Sequence, residues 1–390
     1  MPCICFNAFT MSYEVSVVKC GSYDEAQVRK AVEDSLAPLG GAGGVIKKGD
    51  RVLIKLNLLA SKPPEAAVTT HPALVKAVVR IVQELGAIPM LGDSPGGNGT
   101  FVSYKGVLKN TGIQAVADET GCEIVNFEQE TVDVTSEKAR TFKKLKIGKP
   151  VMDADKIIAL PKLKTHQLTY YTGAVKLLFG YVPGMMKMEY HHNAGRDLDL
   201  FSELLLDIHS VRLPDLVIMD AVVGMEGHGP SAGTPRQIGL IMASKSCTAL
   251  DFVATTIAGF DPAGVPTVKK AIERGEGPAS LKEIKVYGED LASLIIKDFK
   301  KPETMGPGGR GRNVMGFIGG LRASRPVINK ARCVKCGICA RDCPPKAMTF
   351  VKGSSPVIDY AKCIRCYCCQ ELCPEGAVDV QKPLLQRILH

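Results

Sequence analysis

C-V-K-C-G-I-C-A-R-D-C-P, residues 333–344, recurs thirty residues later as C-I-R-C-Y-C-C-Q-E-L-C-P, residues 363–374. In both runs three cysteines are separated by two residues each, a fourth follows after three more, and a proline comes next. Proteins hold [4Fe–4S] clusters with this spacing, each cluster taking three sulfurs from one run and its fourth from the other. We therefore expect two ligand sets: set one is Cys333, Cys336, Cys339 and Cys373, and set two is Cys363, Cys366, Cys369 and Cys343.

The repeat extends beyond the cysteines. V-I-N at 327–329 precedes the first run as V-I-D at 357–359 precedes the second, and short apolar segments follow both runs. Each half predicts a strand, a cluster loop, a short helix and a second strand. Residues 325–382 thus resemble a bacterial-type ferredoxin with two [4Fe–4S] clusters. Because metal would tie the two halves together, we do not expect this region to stay folded without iron.

Paired cysteines also occur in zinc sites and in disulfide scaffolds. Zinc sites also use C-x2-C elements, but they close with four ligands and do not require two four-cysteine runs. A disulfide scaffold belongs to oxidising compartments, and no secretory signal precedes these runs. Cys368 is out of register with the repeat, where the first run has Ile338, and we interpret it as a small apolar shield rather than a ligand.

The bulk composition predicts a second, larger domain. The chain has 390 residues, of which 45% are hydrophobic, while the cluster region uses only about sixty. We divide it into a probable translational extension (1–10, with Met11 as the natural start), an α/β domain (11–300), a Gly-rich linker (301–325), the two-cluster domain (326–382) and a tail (383–390). The glycines concentrated between 306 and 320 indicate the linker.

Charge and hydropathy exclude several classes of partner. The formal charge of +9 falls to about +5 if each of two clusters carries about −2. The basic residues are dispersed, aromatics make up 6% and Trp is absent, so we expect no nucleic-acid binding. No run of eighteen apolar residues predicts a membrane span. We expect a cytoplasmic protein whose mildly basic surface docks an acidic redox partner, with the oligomeric state left open.

Val- and Ile-rich runs alternate with helical patterns in the first three hundred residues. Strands are predicted at 14–18, 51–56, 87–91, 156–160, 215–219 and 237–242, and helices at 73–85, 198–211, 248–258 and 266–274. Such alternation predicts an α/β fold with a mainly parallel, helix-covered sheet. The small C-terminal domain would be α+β.

Polar loops follow three of these strands, and in parallel sheets such loops form the ligand crevice. They span 91–97, 161–166 and 220–229 and bring Asp93, Lys162, Lys164, His166, Asp220, Glu226 and His228 to one rim. Together with T-G-A-V-K-L-L-F-G at 172–180, these phrases resemble the uncharacterised family known as domain of unknown function 362. The resemblance covers about residues 11–300. Members that carry a C-terminal ferredoxin module are called iron-sulfur cluster-binding proteins, and the family name implies no reaction.

A weaker resemblance is to the nickel-pincer lactate racemase superfamily. It rests on Gly173 to Lys176, Pro183-Gly184, a following His191 or His192, and Thr70-His71-Pro72 upstream. The match is short and gapped, so the nickel cofactor is not carried over. What it implies is a pocket suited to hydride or α-hydroxy-acid chemistry.

The candidate site follows from these loops. His166 is proposed as a proton donor, with Lys162, Lys164 and Lys176 as anion clamps, and Lys164 and Lys176 are counted with His166 as catalytic. Lys162 and Lys164 alternate along an extended segment, so both are expected on one side of it. Asp93, Ser94, Gly96, Lys162 and His228 are proposed to bind a cofactor, although the 92–99 loop lacks the patterns of nucleotide-binding loops. Each has a plainer interpretation, since Lys162 and Lys164 could form a solvated edge and loop histidines often bond the backbone.

These features predict a low-potential electron-transfer protein of an anaerobic or microaerobic cell. In the enzyme hypothesis, two [4Fe–4S] clusters exchange electrons with a small anionic substrate or a flavin in the α/β domain. In the alternative, the chain is a non-catalytic carrier whose α/β domain only docks a redox protein. A third hypothesis gives the clusters a structural or sensing role.

Overall fold

The structure is a computed structural model that describes residues 13–95, 103–305 and 324–382. The proposed extension at 1–10, Gly96, the linker glycines and the tail at 383–390 lie outside these ranges. Below, residues 13–305 are called the α/β domain and residues 324–382 the cysteine-rich domain.

One large, mostly parallel sheet organises the α/β domain. Its spatial order is β12-β1-β11-β10-β7-β2-β3-β4, and β8 pairs with both β10 and β9 at one side. β5 and β6 form a separate hairpin. The strands are β1 (Tyr13–Lys19), β2 (Arg51–Lys55), β3 (Ile88–Asp93), β4 (Glu123–Asn126), β5 (Thr131–Thr135), β6 (Lys144–Gly148), β7 (Lys156–Ala159), β8 (Lys162–His166), β9 (Tyr170–Thr172), β10 (Leu216–Glu226), β11 (Thr234–Ser244) and β12 (Ile284–Gly288).

Helices cover both faces of this sheet. They are α1 (Glu25–Leu36), α2 (Pro72–Glu84), α3 (Tyr104–Asn110), α4 (Ile113–Thr120), α5 (Lys149–Asp153), α6 (Ala174–Leu177), α7 (Gly184–Ala194), α8 (Leu198–Val211), α9 (Cys247–Ile257) and α10 (Pro266–Arg274). Alternate residues of a strand point to opposite faces. In β2, Val52 and Ile54 pack with α1 to α4, whereas Leu53 packs into the core beneath α6 and α8 to α10.

The α/β prediction is confirmed. The helices predicted at 198–211 and 266–274 have those bounds in the structure, and the six predicted strands are all present. Two of the predicted loops are wrong in part. Residues 162–166 form β8, and β10 continues past Asp220 to Glu226 as the partner of β11. The polar side chains of these two segments do not form an apolar strand pattern in the sequence. The strands that pair with them come from distant parts of the chain, so the sequence nearby does not predict the pairing.

The cysteine-rich domain repeats one small unit, as its sequence does. β13 (Arg325–Ile328) pairs antiparallel with β16 (Val378–Gln381), and β14 (Met348–Thr349) pairs with β15 (Val357–Ile358). Two single-turn helices, α11 (Ile338–Arg341) and α12 (Cys368–Glu371), follow the cysteine loops. This agrees with the predicted α+β fold. Among all the described helices, none is long and apolar enough to cross a membrane.

Candidate functional site: a cationic cavity between the two domains

A cavity of about 110 Å³ lies where the carboxyl ends of β2, β3 and β8 meet the cysteine-rich domain. Lys55 ends β2, Asp93 ends the adjacent β3, and His166 ends β8, which pairs with β10, so the carboxyl ends of these three strands bring the side chains to one cavity. Glu371, on α12 of the cysteine-rich domain, lines the same cavity. We call this space the shared cavity because both domains form its wall. Its ionisable, imidazole and thiol side chains are Lys55, Asp93, Lys164, His166, Lys176, Lys187, His191, Cys368 and Glu371.

Lys55 and Asp93 form a buried ion pair at its base. Lys55 Nζ lies 2.6 Å from Asp93 Oδ1. The carboxylate also accepts hydrogen bonds from the backbone N–H of Leu58, at 2.7 Å, and of Ser94, at 2.7 Å. Burial lowers the pKa of Lys55, and Asp93 opposes that shift. Asp93 therefore orders the loops after β2 and β3, and its own charge is compensated by protein groups.

Lys164 and Lys187 are cations with perturbed acidity. Lys164 Nζ donates to Val68 O at 2.7 Å and Asn57 Oδ1 at 3.0 Å, which leaves one of its three donors for the cavity. Burial, followed by the neighbouring Lys162, lowers the pKa of Lys164 to about 7. Burial likewise lowers the pKa of Lys187 to about 7. Both side chains can therefore change charge near neutral pH.

Lys176 differs from the other lysines of the cavity. Its Nζ lies over the ring of Phe179 at 4.6 Å and near that of Phe201 at 5.8 Å. Within the described ranges it has no hydrogen-bond acceptor and no ion-pair partner. Burial lowers its pKa, and Glu371 opposes that shift. A buried ammonium held by rings alone is the group best placed to receive an anion.

His166 connects the α/β domain to the cysteine-rich domain. Its Nδ1 accepts a hydrogen bond from Leu168 N at 3.0 Å, which assigns the proton of the neutral ring to Nε2. Nε2 lies 3.1 Å from Glu371 Oε1, although the two do not align as a regular hydrogen bond. Burial lowers the pKa of His166 against the raising effect of Glu371. The ring is therefore neutral near pH 7 and presents an N–H to the carboxylate.

His191 also reaches the cavity, from α7. Its ring stacks on Phe201 with centroids 4.5 Å apart, and burial lowers its pKa to about 3. It is thus a neutral imidazole in an apolar setting. The segment around it is helical.

Two of the proposed cofactor-binding residues lie elsewhere. Lys162 Nζ is buried against Asp220 Oδ2 at 2.9 Å and Tyr23 OH at 2.7 Å, so its charge is neutralised away from the cavity. His228 faces Glu303, with Nε2 3.1 Å from Oε1. The two residues therefore do not share one rim with Lys164 and His166, because each has a protein partner outside the cavity. Ser94 does line the cavity, and its hydroxyl donates to Glu128 at 2.9 Å.

Lys55, Lys187 and Glu371 complete the site but were missed from the sequence. Lys55 could have been proposed from the sequence, because it lies near the end of the strand predicted at 51–56. In the structure that strand is adjacent to β3, which ends at Asp93. Lys187 sits on α7 and Glu371 on a cysteine loop about two hundred residues away. Nothing local in the sequence places those two beside the sheet.

All eight predicted cysteine ligands lie close together in the cysteine-rich domain, and their division into two sets stays a prediction. All four members of set one line one small pocket. In set two, Cys343 and Cys363 belong to one small cluster of buried side chains. The pKa of Cys369 is raised by burial and then by the proximity of Cys366 and of Cys339, a member of set one. The loops repeat their backbone too, with left-handed residues at Lys335 and Gly337 and at Arg365 and Tyr367.

These sulfurs fit an iron-sulfur cluster better than a single ion. In the described part of the chain, no three Cys, His, Asp or Glu side chains converge as closely as one metal ion requires. Backbone amides point at the fourth sulfur of each run: Ala347 N donates to Cys343 at 3.3 Å and Ala377 N to Cys373 at 3.1 Å. Such bonds are typical of cluster ligands. When bound, the clusters would supply single electrons.

Comparisons with known proteins agree with both parts of the chain. Residues 52–256 match a family described as a domain of unknown function (DUF362), and residues 332–377 match a 4Fe-4S dicluster domain. A thylakoid-associated protein of Synechocystis is 38% identical over 297 residues, which are 76% of this chain and 90% of that protein.

Two solved structures show a weaker similarity. One is the apoprotein of lactate racemase from Thermoanaerobacterium thermosaccharolyticum, with a TM-score of 0.39 and 13% identity over 59% of this chain and 54% of that one. The other is a protein of Thermotoga maritima, with a TM-score of 0.37 and 13% identity over 58% of this chain and 57% of that one. The first agrees with the weaker resemblance in the sequence, and at these scores neither carries an argument about the site. On the family match and the Synechocystis relative, this chain belongs to the DUF362 family and carries a C-terminal 4Fe-4S domain.

Proposed function

We propose that the protein is an iron-sulfur redox enzyme that binds a small anionic substrate in the shared cavity. The observation that supports this most strongly is that α12, which begins inside the second cysteine run, forms part of the cavity wall through Cys368 and Glu371. A substrate held there would lie beside the ligand loop of set two. The 4Fe-4S domain itself supports an electron-transfer role.

Charge favours an anion as the occupant. Four lysines, at positions 55, 164, 176 and 187, face two carboxylates, those of Asp93 and Glu371. Lys55 is already paired with Asp93, so the excess positive charge belongs to the other three lysines. Lys176, which lacks a polar partner among the described residues, would bind the anion directly. Lys164 and Lys187 would supply the surrounding positive potential.

Proton transfer would involve the side chains around that anion. Lys164 has a pKa of about 7, which suits a group that gives and takes protons near neutral pH. His166 would act with it as a proton donor through Nε2, which lies 3.1 Å from Glu371 Oε1 at the cavity wall, because Nδ1 is occupied by the N–H of Leu168. Cys368 also lines the cavity and would shield the set-two loop from water.

The volume favours a small anion over a flavin. Pockets for drug-sized ligands measure roughly 300–1,000 Å³, well above the value of about 110 Å³ here. We also propose that two clusters are bound, that the electrons come from a redox protein, and that the protein works in a reducing cytoplasm. Iron analysis of anaerobically loaded protein should then give about eight iron atoms per chain, and its visible spectrum should lack a flavin profile.

Oxalate, a small dianion, is a suitable probe of the cavity. Calorimetric titration of anaerobically loaded protein should detect its binding, and Lys176→Met should weaken that binding at least tenfold because a charged hydrogen-bond donor is lost. Lys47→Met, an exposed lysine near the start of β2, is the matched control and should bind as the wild type does. Equal affinity in all three proteins would contradict an anion site at Lys176. Loaded protein that exchanges electrons but binds no anion would instead be a carrier.

A further inference from the structure

The α/β domain makes the two cysteine sets unequal, although their sequences are nearly symmetrical. All four members of set two are buried. In set one, Cys333, Cys336 and Cys373 are partly exposed. The difference arises from how the cysteine-rich domain is seated, since the two runs have similar backbones.

The second run is the one held against the α/β domain. Arg196 donates to the backbone oxygen of Cys363 at 2.9 Å. Gln370 Nε2 donates to His228 O at 2.6 Å, and Ser231 donates to Gln370 O at 3.2 Å. The loop that carries Cys333 and Cys336 makes none of these contacts, and both cysteines are partly exposed to solvent.

An exposed apolar patch surrounds that outward loop. Val334, within the loop, is 59% exposed, while Val351 and Val357 are 69% and 68% exposed. The segment that carries the latter two packs against the loop: the ring of Phe350 lies so close to Gly337 that an added Cβ there would approach it at 2.5 Å. Exposed valines gathered at one place are more typical of a contact surface than of a freely solvated one.

The charges around Val334 and Val351 are basic, whereas near Val357 the exposed Asp359 is paired with Lys362. Between residues 330 and 352 the exposed charged side chains are all basic: Lys330, Arg332, Lys335, Lys346 and Lys352. The only acidic residue in that stretch, Asp342, is buried and bonded to Arg341. Arg332 pairs with Asp379, which leaves the four lysines to set the local potential.

We propose that this surface, formed by Val334, Lys335, Val351, Lys352 and Val357, is the docking site of a small acidic electron-transfer protein. An acidic rim on the partner would match the lysines, and a few apolar contacts would match the valines. A second copy of this chain would bring like charges together. The proposal rests on the proposed function, to which it adds an entry face for electrons beside the partly exposed cysteines of set one.

Binding and cross-linking test the surface without relying on turnover. The probe is an oxidised acidic flavodoxin, titrated into anaerobically loaded protein at low ionic strength. Lys335→Glu combined with Lys352→Glu should weaken binding at least tenfold, and added salt should weaken wild-type binding. Lys47→Glu combined with Lys282→Glu changes the charge equally at exposed sites of the α/β domain and should bind as the wild type does.

A zero-length carbodiimide cross-link, mapped by mass spectrometry, should join flavodoxin carboxylates to Lys335 or Lys352. Cross-links elsewhere, or equal losses of binding in both double variants, would overturn the proposed surface. Preference of the same face for a DNA oligonucleotide over flavodoxin would overturn the choice of partner. Photoreduced deazariboflavin, small and uncharged, separates the two proposals. If it cannot reduce the loaded protein, the proposed function fails and this inference fails with it, whereas normal reduction with no flavodoxin binding refutes the docking surface alone.

Discussion

Lys162 and Lys176 are both buried lysines near one edge of the sheet, yet their surroundings give them opposite roles. Lys162 is enclosed by Asp220 and the hydroxyl of Tyr23. The ammonium of Lys176 lies over the rings of Phe179 and Phe201 and has no hydrogen-bond acceptor among the described residues. The pattern K-L-K at 162–164 predicts that Lys162 and Lys164 point to the same side of a strand and bind an anion together. Both residues do lie on one strand, β8. What alternation cannot reveal is the carboxylate on another strand that neutralises Lys162.

Substitution of Lys162 should therefore affect stability rather than anion binding. In Lys162→Met the buried carboxylate of Asp220 loses its cation, and breaking such a pair from one side costs about 3–5 kcal/mol. Denaturant unfolding of loaded protein should show a loss of this size. Adding Asp220→Leu should recover part of it, because no buried charge then remains. A Lys162→Met protein of wild-type stability that has lost oxalate affinity would contradict the structural role.

The two lysines with a pKa of about 7 predict how anion binding depends on pH. A lysine is charged below its pKa and neutral above it, so the positive charge at Lys164 and Lys187 is present at pH 6 and lost as pH rises through 7. Oxalate stays ionised over this range. Its affinity should fall about tenfold or more between pH 6 and pH 8.5, since a charge a few ångströms away is worth about 1–4 kcal/mol.

Calorimetric titrations across this range provide the measurement. Bound oxalate stabilises the charged lysines, so the fall should be centred somewhat above pH 7. The Lys47→Met control should keep the full dependence. An affinity that is constant from pH 6 to pH 8.5 would mean that neither lysine contributes to binding.

At the scale of elements, Asp251 of α9 holds the short helix α6 that carries Lys176. Its Oδ1 accepts from Ala174 N at 2.7 Å and Tyr171 OH at 3.0 Å, and its Oδ2 accepts from Val175 N at 2.9 Å. A four-residue helix has little stability of its own, so this carboxylate fixes its direction. Asp251 is a positioning residue, and it acts on the anion through Lys176.

The isosteric Asp251→Asn tests that assignment. Its amide would face the N–H of Val175 where an acceptor is needed, and a buried donor left unsatisfied costs about 1–3 kcal/mol. Unfolding should show this loss, and oxalate affinity should fall severalfold as Lys176 shifts. Val253→Ala, a buried residue of the same helix, is the control. It should lower stability by a similar amount and leave oxalate affinity unchanged.

Elements with strong apolar periodicity were predictable from sequence, and polar ones were not. α8 and α10 were placed correctly because their apolar stripes repeat every three to four residues. β8 was mistaken for a loop because Lys162, Lys164 and His166 occupy it, and it is buried only because β10 and β9 flank it. The hairpin of β5 and β6 was missed because its partly exposed strands lack a continuous apolar run.

The same limit applies to the site. Lys164, His166, Lys176, Asp93 and Ser94 were predicted and do line the cavity, since rules for strand ends apply to most of them. Glu371 could not be placed from sequence, because its contact with His166 depends on how the cysteine-rich domain seats on the sheet. Gly96 lies outside the described residues, and its predicted role stays a prediction.

At the scale of the whole molecule, the cysteine-rich domain has a buried side and an exposed side. Set two is covered by the α/β domain beside the shared cavity, and set one is open to solvent among basic and apolar side chains. The two halves of the sequence repeat therefore lie in different surroundings, one beside the cavity and the other at the surface. We expect the buried and exposed clusters to differ in their response to a ligand in the cavity, because only one of them adjoins it.

A redox titration of anaerobically loaded protein, followed by electron paramagnetic resonance with and without saturating oxalate, tests this most directly. A bound anion makes it harder to add an electron nearby. If oxalate binds the reduced form tenfold more weakly, the potential falls by about 59 mV for a one-electron couple. We predict a shift of about that size in one of two iron-sulfur signals, and its loss in Lys176→Met. Two signals that both stay unchanged, or that shift equally, would contradict a cavity placed beside a single cluster.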